Sequence, residues 1–151
     1  MLRTILGVVA GYVVMAAFIF ITFSLTYMIL GTEGSFQPNS YEVSGAWILA
    51  SIVLGFAGAV LGGLVSFALG RSRKASMVLA GVVLVLGVAM AIPTLGDVDE
   101  QSLVRTGEVA MMEAMQSARQ PSWLALLNPL LGTVGVIIGS RLKKESGPQT
   151  S

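Results

Sequence analysis

Charged residues divide this chain into a few long apolar runs. After Arg3 the next charge is Glu33, so Thr4 to Gly31 is an unbroken uncharged run. A second runs from Val43 to Gly70, a third follows the basic turn Arg71 to Lys74 and stops at Pro93 and Gly96, and a fourth leads from Ser122 or Trp123 to Ser140. A bilayer core about 30 Å thick takes about 20 residues of apolar helix. Inside it an exposed backbone has to bond to itself, which leaves helix as the available form. The pattern predicts four spans, at about residues 5–30, 43–70, 75–92 and 122–140. A secretory leader is the competing reading of the first run, since Arg3 precedes an apolar core. Leader cores are about 7–15 residues with a small-residue cleavage site, so an uncleaved span is expected instead.

Residues 31–42, with Gly, Pro, Asn and Ser, read as a loop. The longest polar stretch is 97–121. Within it, Gly107, Ala110, Met111, Ala114, Met115 and Ala118 recur at helical spacing, with Glu113, Gln116 and Ser117 turned largely away. This predicts an amphipathic helix over 106–119, ended by Pro121, that lies on the membrane surface or caps the bundle.

Small residues decide how the spans pack. Ser51, Gly55, Ala59 and Gly63 form one stripe on the second run, and Gly58, Gly62, Ser66 and Gly70 form another beside it. Lipid supplies no hydrophobic drive between helices, so association relies on close backbone approach at such stripes. Gly7 and Gly11 offer the same step on the first span, and Gly132, Gly135 and Gly139 on the fourth. Trp47 with Gly55, Gly58 and Gly62 is echoed by Trp123 with Gly132, Gly135 and Gly139, each set before a basic cluster. The echo raises two tandem helical hairpins as an arrangement, against coincidence among glycine-rich helices. The fold class expected is an all-α integral membrane protein: four transmembrane helices in an antiparallel bundle and one surface helix. Residues 1–144 form a single domain and 145–151 a short disordered cytoplasmic tail.

Composition agrees with that reading. The chain is 54% hydrophobic and 11% charged, against about 25% charged in a soluble domain. Its bases are unevenly placed: Arg3, Arg71, Arg73, Lys74, Arg141, Lys143 and Lys144 fall on one side of a four-span topology, and only Arg105 and Arg119 on the other. That bias expects both termini in the cytoplasm of a bacterial inner membrane, with the lipid bilayer as surroundings and no nucleic-acid partner.

Without Cys or His the chain has no disulfide, no thiolate and no imidazole. No cofactor is expected, and no acidic or basic side chain lies in a span, which argues against proton-coupled transport. Three features are left as candidate chemistry. Met111 and Met115, one helical turn apart, carry thioethers that suit Cu(I), although methionine at these positions is ordinarily an apolar filler. Asn128-Pro129 interrupts the fourth span's hydrogen-bond ladder; a helix kinked there frees carbonyls near Leu124 and Ala125, with Thr133 one turn on, as a polar site. Asp97, Asp99 and Glu100 lack calcium-loop spacing and read as a solvated loop. The functional expectation is a non-enzymatic accessory or scaffold subunit docking on a larger membrane complex, or on a second copy, through small-residue faces. The alternative is a small-solute channel or transporter using the Asn128-Pro129 break, with a polar cavity near Asn128, Thr133 and Thr22.

Overall fold

A computed structural model describes residues 1–96 and 104–142. They form α1 (Leu2–Ser35), α2 (Gly45–Gly70), α3 (Arg73–Ala91) with a 3-10 turn over Ile92–Leu95, α4 (Met111–Ser117) and α5 (Ser122–Leu142). The fold is all-helical among the described residues, and four of its helices are long and apolar enough to cross a membrane. The acidic cluster Asp97, Asp99 and Glu100, the basic pair Lys143 and Lys144, and the tail 145–151 lie outside the described residues.

Each element end has a local cause. α2 is capped by Ser44, whose hydroxyl accepts from the Trp47 N–H at 3.1 Å, and α3 by Ser72, which accepts from Lys74 N–H at 3.1 Å. Between them Arg71 takes a left-handed conformation (φ 48°), which closes α2 through its N–H to the Phe67 carbonyl at 2.8 Å. α3 ends at Ala91 and tightens into the 3-10 turn because Pro93 cannot continue an α-helix.

Two expected boundaries are corrected. The first helix does not stop at Leu30. Gly31 adopts φ 65°, ψ −176°, a conformation glycine takes without steric cost, and one further helical turn follows to Ser35. The 31–42 loop is therefore shorter than the sequence implied. The surface helix is also shorter: it spans Met111–Ser117 rather than 106–119. Gly107 is left-handed (φ 81°) and Ala110 extended (ψ 151°), and carbonyls that would continue the helix backwards are taken elsewhere. The Gly107 carbonyl accepts from Arg105 Nη1 and the Val109 carbonyl from the Tyr27 hydroxyl. At the other end Arg119 leaves the helix to pair with Tyr41 and Val43 through its backbone.

α2 is the central element. α1 lies along one side of it and α5 along another, α3 packs on all three, and among the described residues no Cα of α1 comes within 8 Å of one of α5. On the α1 side, a Cβ built at Gly7 would meet the Ser66 carbonyl oxygen at 2.7 Å, and one at Gly11 the Gly62 carbonyl oxygen at 2.7 Å. On the α5 side, Gly63 sits on the Val136 backbone, Gly139 on the Val60 carbonyl, and Gly135 against Ala59. Met15, Ala59, Leu79, Ala80 and Val136 fill the centre. Gly58 meets only the flexible side chains of Phe18 and Ile19, and Gly132 the Val83 side chain. Gly55, although on the same stripe as Ala59 and Gly63, has nothing within 4 Å of its Cβ position.

These contacts make the molecule unequal along its length. The end holding Gly7, Gly70, Ala75 and Ser140 is packed backbone against backbone. Towards the other end the helices separate, and a cap closes over the gap. Phe36, Val43 and Ala114 form its buried cluster, with Tyr27, Tyr41, Trp47 and Ala118 against them. Trp47 takes edge-on contacts from Phe23 (5.7 Å) and Tyr27 (6.3 Å). Isolated bridges Phe36 to Val43, Ser40 to Val104 and Glu42 to Arg119 tie the cap's segments together.

Candidate functional site

Two cavities occupy the separated end, and one face of α1, carrying Tyr12, Met15, Ile19 and Phe23, lines both. The first, about 490 Å³, lies between α1, the start of α2 and the underside of α4. Phe20, Phe23, Tyr27, Phe36 and Trp47 supply aromatic walls, and Met111, Ala114, Met115 and Ala118 the roof. Ser24 and Ser35 are the serines on its wall, beside the phenols of Tyr12 and Tyr27. The second, about 380 Å³, lies between α1, α2, α3 and α5 and includes Ser51, Gln120 and Asn128 among apolar neighbours.

The candidate residues separate accordingly. Met111 and Met115 both line the first cavity, opposite aromatic rings, where a thioether serves as an adaptable apolar filler. No group of three or more His, Cys, Asp or Glu side chains that could hold a metal occurs among the described residues. Asn128 and Pro129 line the second cavity together with Gly55 and Gly132, and Asn128 Nδ2 donates to Gln120 Oε1 at 3.3 Å. α5 runs through Pro129 as one helix, and a Cβ at Gly87 of α3 would meet the proline ring at 2.7 Å, so that glycine makes room for the ring. Thr133 is not part of this wall. Its hydroxyl donates to the Pro129 carbonyl of its own helix at 2.8 Å and reaches the Ala80 carbonyl of α3 at 3.5 Å, while Thr22 donates to Phe18 one turn back at 2.7 Å.

No known family model, curated protein or solved structure matches this chain.

Residues that the sequence did not single out hold the cap. Arg105 is 2% exposed and serves as a clamp: Nη2 meets Glu33 Oε1 at 3.0 Å, Nε donates to the Ser40 carbonyl at 3.3 Å, and Nη1 to Gly107. Its guanidinium carbon stands 5.9 Å from the centre of the Phe36 ring. Glu33 itself is 75% exposed, so the buried charge is satisfied chiefly by backbone carbonyls. On the surface, Tyr41 donates to Glu113 Oε1 at 2.7 Å, and this bond to the carboxylate raises the phenol above its usual pKa. A lone arginine between Val104 and Thr106 carries no sequence signal that it is buried.

Ser35 was equally silent. Its hydroxyl is buried without a hydrogen-bond partner. Helical hydroxyls usually bond back to a carbonyl three or four residues earlier, as Thr26 does to Thr22 and Ser140 to Ile137. For Ser35 the carbonyl four back belongs to Gly31, where the helix is broken, and the Thr32 carbonyl three back takes the Phe36 N–H and not this hydroxyl.

Proposed function

We propose that this chain is a non-enzymatic protein of a cell membrane, an antiparallel bundle of four spans with both termini cytoplasmic, acting as an accessory or scaffold subunit beside a larger membrane complex. Helix register supports the antiparallel reading. Gly7 lies by Gly70 and Gly11 by Gly62, so α1 and α2 run oppositely, and Gly87 by Pro129 with Val83 by Gly132 gives the same for α3 and α5. The base distribution supports the orientation, with the tightly packed end on the cytoplasmic side.

One observation carries the preference for an accessory role over conduction. At the packed end, backbone meets backbone at Gly63 and Val136 and at Gly139 and Val60, leaving no space for a solute between α2 and α5. An accessory subunit docking through its stripes expects one of them to stay uncovered, but both stripes on α2 are largely buried inside the molecule, so docking would use other surface. Gly81 on the outward side of α3 has open space at its Cβ position, between exposed Met77 and Val85. It offers the close approach that membrane helices use.

Gentle detergent extraction followed by native mass measurement tests this reading. Stoichiometric recovery with a larger complex, lost in Gly81→Leu while helix content is kept, is the expected result. Recovery as a lone monomer from every gentle detergent overturns it. A second reading, a small-solute site, rests on the Asn128 and Gln120 amides in the second cavity. It expects solute retention or flux that falls in Asn128→Ala.

A further inference from the structure

We propose that the cavity beneath α4 holds one aliphatic chain of a membrane amphiphile, with the chain's head oxygen placed at Ser35. The first argument is shape. The α1 residues on its wall run from Tyr12 to Tyr27, fifteen steps of helix, or about 22 Å at 1.5 Å per residue. That is more than one leaflet of a hydrocarbon core about 30 Å thick. A site this long and narrow suits an extended chain better than a compact solute.

The second argument is chemistry. The walls are aromatic, aliphatic and thioether, and at about 490 Å³ the volume lies within the usual range for a small-molecule site. A chain lying in an apolar space this large gains dispersion contacts from everything lining it. Flexible Met111 and Met115 in the roof adapt to a chain whose conformation varies.

The third argument is the polar end. Ser35 is 1% exposed, its hydroxyl has no partner, and it stands in the wall of this cavity at the level of Tyr27 and Trp47. Tyrosine and tryptophan gather where hydrocarbon meets water, which is the depth of an ester carbonyl or a chain-terminal hydroxyl. A ligand oxygen there would give the hydroxyl the partner that the chain itself does not supply. The other buried hydroxyl without a partner, Ser66, is at the Gly7 and Gly11 interface and adjoins neither cavity.

The test uses the full chain in vesicles of phosphatidylcholine doped with one photoreactive probe at a time: a phospholipid with a diazirine in its acyl chain, a free fatty acid carrying the same group, or an isoprenoid alcohol carrying it. Crosslinked peptides are mapped by mass spectrometry. The expected result is labelling concentrated on the Tyr12-to-Tyr27 face of α1 and on α4 by at least one probe, and the probe that labels identifies the source of the chain. Ala16→Trp fills the cavity from an exposed position on its wall. It should reduce that labelling about tenfold, as expected when roughly two methylenes lose their place. Ser35→Ala should keep the fold and weaken labelling by whichever of these probes labels the wild type, while labelling by a diazirine alkane, a fourth probe without oxygen, stays unaffected. If Ala16→Trp does not fold, Ala118→Phe blocks the same space from the roof. Labelling spread evenly over the outward faces of all four spans, unchanged by either filling variant, overturns the proposal.

Discussion

Arg105 concentrates more consequence than any other side chain of the cap. Removing a buried charge-assisted set of hydrogen bonds costs about 1.5–3 kcal/mol for each strong bond lost, while a pair with an exposed carboxylate contributes about 0.2–1 kcal/mol. Arg105→Met should therefore loosen the cap strongly and Glu33→Gln barely, a difference that proteolysis of the 36–43 segment can read. At Tyr41 the sign follows from the neutral phenol being the form that donates to Glu113. Its raised pKa means the bond contributes fully below the ordinary tyrosine value of about 10 and is lost as pH climbs through the folded value. Ultraviolet titration should place Tyr41 above the ordinary tyrosine value, and Glu113→Gln should bring it down. Neither residue was legible in advance. Arg105 entered the sequence reading only as a base on the acidic side, and nothing local to it specifies burial, which comes from Phe36, Ser40 and Gly107 arriving from other segments.

At the scale of elements, apolar runs bounded by charge were enough to locate all four long helices, because hydrocarbon permits little else over such lengths. Their ends were less legible. The extra turn after Gly31 depends on a single backbone conformation, and the shortening of α4 depends on hydroxyl and guanidinium donors that claim its carbonyls. Glycine stripes identified surfaces on α2 but not which glycine meets what. Gly63→Ala and Gly139→Ala place a methyl on opposing backbone and should each destabilise the bundle by about 1–3 kcal/mol. Gly55→Ala meets open space and should be neutral or slightly stabilising, since Ala is the better helix former by about 1 kcal/mol. Thermal unfolding in one detergent, followed by circular dichroism, ranks the three. The double variant Gly58→Leu with Gly62→Leu should separate α1 from α2 through the Gly62 contact with Gly11 and Met15, more than through Gly58, whose neighbours are movable side chains.

At the scale of the whole molecule, the polar site foreseen around Asn128, Thr133 and Thr22 divides. Asn128 and Pro129 reach a cavity, Thr22 turns to its own helix, and Thr133, outside that cavity's wall, bonds one turn back and reaches the Ala80 carbonyl of α3. That division follows from a competition the sequence does not display, between a neighbour across the bundle and a carbonyl one turn back. The larger, aromatic cavity was not foreseen, because its walls join Tyr12 to Tyr27 of α1 with Met111 to Ala118, segments far apart in the chain. With the packed end shut, solute flux through proteoliposomes should equal that of empty vesicles, and a conductance that survives purification would contradict the closed end.

The separation of α1 from α5 bears on how the protein is made. The first three long helices can assemble during synthesis, since α1, α2 and α3 all touch one another without α5. The notch formed by Ala59, Val60 and Gly63 then stays bare until the last helix leaves the ribosome. A chain arrested before Ser122 would expose that notch to the lipid, and bare small-residue surfaces are where membrane helices find partners. Such nascent chains should crosslink to one another or to membrane chaperones at Val60, and completion of α5 should abolish the crosslink.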